Sequence, residues 1–277
     1  MAEVQYFAHG WLGPALAVAV SFFGCLVGLL VSARARESDG PARARWLCLA
    51  AVSIGGTGFW LMRFLALLGF DVPDAPIRYD VKLLVAGLVI VVAAAAGGLL
   101  VVGLGEPTPW KVAAGGGVVG LGLAAMHLTT VAGMRLSGTL VFRPAVVVLA
   151  LALAVVAATI AMWLVVAIRG TTASAVAALI MAVAVSVAHY TAMAAIGVVP
   201  GRVGASGGGV SLFLLFPAVS LVACVVMLAL GYGMVGHAMR RDNARQEAAL
   251  AHTRHVYEAA AVGRLTAGLT AGPARHR

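Results

Sequence analysis

Three polar side chains stand at related places in an otherwise apolar chain: Arg63 in FWLMRFLALLGF, His127 in AAMHLTTVAGMRL and His189 in SVAHYTAMAAIGV. Intervals of 64 and 62 residues separate them, which makes them three copies of one repeating position. His189 and Met193 are four residues apart, so a helix puts imidazole and thioether on one face, about 6 Å apart along its axis. Met126 and His127 on a second helix complete a mixed nitrogen and sulfur donor set. Thioethers favour Cu(I) and imidazole serves both copper oxidation states, so copper is the first metal to consider and zinc the second. Arg63 cannot join such a set: a guanidinium keeps its proton, has no lone pair to give, and repels a nearby cation. It can instead pair with Asp71, Asp74 or Asp80, or shape an anion-binding pocket. Against metal ligation stands a structural role. Intramembrane His, Tyr and Thr tie helices together by hydrogen bonds worth about 1 kcal/mol each, and Met126, Met134 and Met193 can simply pack. Met134 lies seven residues beyond His127, about 10 Å along a helix, too far to share an ion with it.

These residues must be positioned by membrane-spanning helices. The 277 residues are 62% hydrophobic and 10% charged. Seven apolar runs, near 11–32, 47–70, 82–104, 111–134, 144–168, 174–198 and 210–235, each reach the length of about 20 residues that crosses a hydrocarbon core. None alternates as a barrel strand does, and in lipid a helix satisfies its own backbone, so the fold class is all-α and polytopic. Gly-rich patches such as GGGVVG at 115–120 suit close helix approach. The first run follows a tail free of Lys and Arg, so it reads as a span and not a cleaved leader. Arg63, His127 and His189 each fall about sixteen residues into a span, a depth of about 24 Å, and so share one level. Ionisable groups at such a level face the bundle interior or a cavity.

With the N-terminus outside, thirteen Lys and Arg fall on the inner side and five on the outer. That asymmetry predicts a cytoplasmic C-terminus, a cytoplasmic basic loop at 34–45 and the polar collar near the outer face. The net charge of +9 follows from loops that meet anionic lipid and gives no reason to invoke nucleic acid. Cys25, Cys48 and Cys224 form no CxxC pair and read as small packing residues. The only lysines, Lys82 and Lys111, lie outside the seventh span, which removes the Schiff base of a retinal protein. Parallel helix-pair repeats and the lack of deep carboxylates speak against an ion-coupled transporter. No Walker loop, GxSxG or HExxH occurs, so an enzyme is not expected. Two histidines on neighbouring helices could also hold a haem, which would make a membrane redox protein.

The stretches HGWLGPALAVAVSFFGCLVGL, GTGFWLMRF, GLAAMHLTTVAGM and SVAHYTAMAA resemble the MHYT family of bacterial integral-membrane sensor domains, over roughly residues 5–235. The resemblance implies a six- or seven-helix plasma-membrane domain that binds a metal, copper above all, near the outer face and senses oxygen, carbon monoxide or nitric oxide. Carried over by position, it implies metal ligation by His127, His189, Met126 and Met193, with Arg63, Tyr190, Thr129 and Thr191 as further site residues. The match is uneven. Arg63 stands where the first repeat should have histidine and Leu67 where it should have methionine. In the second repeat Met126, His127 and Thr129 fit, while Leu128 and Val131 replace tyrosine and methionine. In the third His189, Tyr190, Thr191 and Met193 fit, and Ala188 replaces methionine.

Family members commonly continue into a cyclase, phosphodiesterase or kinase domain. Residues 236–277 are too few for one and read as a basic cytoplasmic tail, partly helical or disordered. The function expected is thus a membrane sensor at 1–235 that signals through a separate cytoplasmic partner. The alternatives are an accessory membrane protein with a decayed metal site, or a haem protein.

Overall fold

A computed structural model describes residues 10–70, 77–136, 138–200, 208–233 and 236. The chain divides into two compact units, Met1–Leu230 and Gly231–Arg277. The tail expected at 236–277 lies, apart from residue 236, outside the described residues.

Among the described residues seven helices are long and apolar enough to cross a membrane: α1 (Leu12–Arg36), α2 (Gly40–Leu68), α3 (Val81–Gly103), α4 (Pro109–Ala132), α5 (Pro144–Ala167), α6 (Thr171–Ala194) and α7 (Leu212–Gly233). The all-α polytopic fold is therefore present. Each of α1 to α5 packs against the next and α6 returns to α1, so the first six close into a ring. Of these α2 is by far the most buried, while α7 has very few buried residues. Pro109 and Pro144 start α4 and α5, where a missing N–H costs nothing. Asp80 caps α3 by accepting from the Lys82 backbone N–H at 3.0 Å.

Small residues set the helix spacing. A Cβ at Gly24 would meet the Gly58 backbone nitrogen at 2.4 Å, so α1 and α2 touch backbone to backbone. Gly98 and Gly115 do the same for α3 and α4, where an added Cβ on either would meet the other's carbonyl oxygen within 3 Å. The α1–α2 contact is also hydrogen-bonded in both directions. Ser21 Oγ donates to the Gly58 carbonyl at 2.7 Å, and Ser53 Oγ to the Gly24 carbonyl at 2.8 Å. This crossing lies on a π-helical stretch, Val52–Leu61, inside α2. Wide turns of this kind mark functional sites more often than ordinary helix does. Regular α-helix resumes at Met62, one residue before Arg63.

Two expectations are corrected. The basic segment 34–45 is not an extended loop. Helix α1 runs through Arg36 and α2 starts at Gly40, leaving residues 37–39 as the turn. Gly40 takes a positive φ of 54°, and Pro41 suits the first helical turn. Arg36 then donates to the carbonyls of Val165 and Ile168, the open end of α5. The sixth span ends four residues early, because Ile196–Pro200 (β4) leaves the helix and pairs antiparallel with Gly138–Phe142 (β3). Likewise Met134–Arg135 (β2) pairs with Arg78–Tyr79 (β1). Hydropathy merged Met134 and residues 196–198 with the helices before them because all are apolar. Cys25 packs as expected, but Cys48 and Cys224 point outward.

If the α1–α2 backbone contact carries the packing, Gly24→Ala lowers stability by about 1–3 kcal/mol, the usual cost of overpacking. Gly117→Ala, which meets open space, changes it by less than about 0.5 kcal/mol or raises it slightly. Thermal unfolding of the two variants in one detergent makes the comparison, and equal midpoints would refute it.

Candidate functional site

The three repeat positions converge. Arg63 on α2, His127 on α4 and His189 on α6 meet inside the ring, at the end that carries the two β-ribbons. Arg63 is 2% exposed and His189 7%. Arg63 Nη1 lies between the two imidazoles: it contacts His127 Nδ1, and stands 3.3 Å from His189 Nδ1. Arg63 Nη2 donates to the His127 carbonyl at 3.4 Å. The ring centroids of His127 and His189 are 6.2 Å apart, and Tyr190 meets His189 edge to face at 5.2 Å.

The polarity of these contacts settles the tautomers. A guanidinium offers only N–H donors, so each Nδ1 must accept, and a neutral ring then carries its proton on Nε2. Neither imidazole keeps a spare lone pair while Arg63 holds this place. The residues as arranged do not fit a copper ion, because a permanent cation occupies the point where both histidines aim. Met126 is buried on the wall of the same space, whereas Met193 is buried away from it. Thr129 and Thr191 turn their hydroxyls onto their own helices, donating to the carbonyls of Ala125 at 2.7 Å and Val187 at 2.8 Å. That habit of helical threonine keeps them out of the collar.

Asp80 does not serve Arg63. Its carboxylate meets Arg135 at 3.3 Å and caps α3. Asp71 and Asp74 lie outside the described residues. Among the described residues no carboxylate pairs with Arg63, and its Nε is buried without a hydrogen-bond partner.

Beside the collar a cavity of about 140 Å³ runs between α2, α4, α5 and α6. Its wall is almost wholly apolar, formed by residues such as Phe59, Leu123, Ala154 and Val185, and its ionisable lining residues are Arg63, His127 and His189. Leu128, Phe142 and Leu151 also line it and are substantially exposed, so the mouth opens on the lipid-facing side. Tyr79 is a buried polar group outside that cavity that sequence reasoning missed. It sits on β1, 2% exposed, with its hydroxyl unpartnered. Burial pushes the Tyr79 phenol up, and the charge of Arg63 pulls it partly back, so it stays a neutral donor. Nothing in the run RYD marked it, since its inward place comes with pairing to Met134 on β2 and to Val210.

Fold and site together define a multi-pass α-helical membrane protein with a buried polar collar repeated on alternate helices. Residues 56–116 and 120–179 match the MHYT family, described as a bacterial signalling protein N terminal repeat, so the part of the chain that holds α2 to α5 carries the MHYT repeat. The two matched segments contain Arg63 and His127 and end before His189. The chain is 31% identical over 187 residues to the bifunctional diguanylate cyclase/cyclic di-GMP phosphodiesterase MucR of Pseudomonas aeruginosa, covering 65% of this chain and 27% of that protein. It is 32% identical over 200 residues to the cyclic di-GMP phosphodiesterase NbdA of the same organism, covering 66% and 24%. It is 30% identical over 185 residues to an uncharacterized signaling protein of Caulobacter vibrioides, covering 67% and 22%. The chain spans about a quarter of the length of these curated relatives. No solved structure matches it.

The collar predicts a thermodynamic coupling. His127→Leu takes an acceptor from a buried guanidinium and costs about 1–3 kcal/mol. Arg63→Met together with His127→Leu recovers part of that cost, since an apolar pair of similar volume needs no partner. A double-mutant cycle on unfolding in detergent reads the coupling. Losses that add within about 0.5 kcal/mol would mean that the two side chains do not interact.

Proposed function

We propose that this chain is the sensing part of a membrane signalling system, with the collar of Arg63, His127 and His189 as its ligand site. The observation that carries this reading is a permanent charge, buried without a carboxylate partner among the described residues, at the junction of three repeat-related helices beside a cavity. A ligand that engages Arg63 changes what the two histidines hold, and so changes how α2, α4 and α6 pack. It shifts the protein only by the difference in its affinity for the two arrangements.

The orientation favoured by the charge distribution puts the collar toward the outside and the 37–39 turn, the α3–α4 and α5–α6 turns and the tail toward the cytoplasm. There they report to a separate signalling protein. The names of MucR and NbdA make a cyclic di-GMP enzyme the partner class to test first. Copper-borne sensing of oxygen, carbon monoxide or nitric oxide needs a metal in the place Arg63 holds, and we assign the site to a ligand that accepts from arginine instead.

Two measurements test this. Cells that express the parent and cells that express His189→Ala at equal membrane level differ in cyclic di-GMP by about fivefold or more, the lower end of ordinary coupling between sites. Equal levels would sink the signalling assignment. Purified parent loaded with copper and desalted retains far less than one ion per chain, while Arg63→His, which exchanges the repelling charge for a third imidazole, retains more. Stoichiometric copper in the parent would return the collar to metal.

A further inference from the structure

The apolar cavity and the unneutralised arginine on its wall together specify a ligand, a deduction that rests on the sensing role proposed above. We propose that the cavity binds a small organic monocarboxylate, its carboxylate on Arg63 and its hydrocarbon body between α4, α5 and α6.

Charge comes first. A guanidinium withdrawn from water costs several kcal/mol unless it is paired, and two neutral imidazoles supply dipoles but no counter-charge. Arg63 has no carboxylate among the described residues, and its Nε–H has no acceptor. One monoanion neutralises the site, and a planar carboxylate matches the fork of a guanidinium.

Size and polarity follow. A dry cavity of roughly 150 Å³ holds a molecule the size of benzene, and the space beside Arg63 is about 140 Å³. The body of the ligand is therefore about six carbon atoms. Apart from the collar the wall offers little but methyl, methylene and aromatic groups, from Phe59, Leu123, Ala150, Ala154 and Val185 among others, so the body is hydrocarbon. A sugar acid or a phosphate ester would bury hydroxyls or a second charge against that wall without partners. The exposed Leu128 and Phe142 at the mouth make entry from the bilayer side available to an amphipathic molecule.

Hexanoate is the probe, titrated into the purified full-length chain in nanodiscs of zwitterionic lipid and followed by calorimetry and thermal shift. The parent binds hexanoate at one saturable site and is stabilised by it. Arg63→Met binds at least about tenfold more weakly, the loss that a charged hydrogen bond carries. Ala154→Leu, which fills the cavity and leaves the collar untouched, weakens binding comparably while its unliganded midpoint reports that it is folded. Hexan-1-ol, with the same body and no charge, binds at least about tenfold more weakly than hexanoate. Dodecanoate separates the sources. Binding more than about tenfold tighter than hexanoate, from chain laid along the mouth, identifies a bilayer fatty acid, and equal binding identifies a short free acid.

The proposal is overturned by absence of saturable hexanoate binding to the parent, by equal binding to Arg63→Met, or by hexan-1-ol binding as tightly as hexanoate. Those failures leave the cyclic di-GMP difference in cells as it was, whereas loss of that difference with hexanoate binding intact removes the sensing role and keeps the site.

Discussion

A charge that cannot be neutralised by losing its proton lies inside a membrane bundle, and the neighbouring structure answers to it. A lysine or an aspartate at this depth could discharge by titration; Arg63 cannot. Its Nη1 therefore takes lone pairs from two imidazoles that arrive from two other helices. Those contacts tie α2, α4 and α6 at one level and set the proton of each ring on Nε2. The same three helices occupy equivalent places in the repeat, so the collar is the point where the repeat meets itself.

Close helix packing makes that convergence feasible. The paired glycines Gly24 with Gly58 and Gly98 with Gly115 remove the Cβ atoms that would hold backbones apart. In lipid no hydrophobic force draws helices together, so contact area and hydrogen bonds must do it. The crossed serine bonds between α1 and α2 use the Gly58 carbonyl and the Ser53 hydroxyl of the π-helical stretch, where the backbone is widened. That stretch ends at Leu61, two residues before Arg63.

The departure at Arg63 changes the chemistry available to the fold. Three repeat positions that all carried imidazole would converge lone pairs and invite a soft metal. With arginine in the first, the lone pairs of the other two are spent on a cation already covalently present. What the site lacks is negative charge, and the adjoining cavity is apolar. A collar of this kind suits an anion with a greasy body and disfavours a metal ion, although the surrounding helices are those of the same family.

The sequence by itself determined the seven spans, the repeat and the common level of Arg63, His127 and His189, because segment length, apolarity and spacing are local quantities that lipid reads directly. It also determined that Arg63 breaks the histidine pattern. Only the tertiary structure decided what the break does. Whether arginine would meet Asp80, solvent or the histidines depended on the rotation of α2 in the bundle, which hydropathy does not register. Thr129 and Thr191 looked like collar members until their own backbones claimed them. Tyr79 was silent until it paired with Met134 on β2 and with Val210. The start of IGVVP was read as a helix end and GTLVF as a connection between spans, since both are apolar and declare themselves strands only by finding each other.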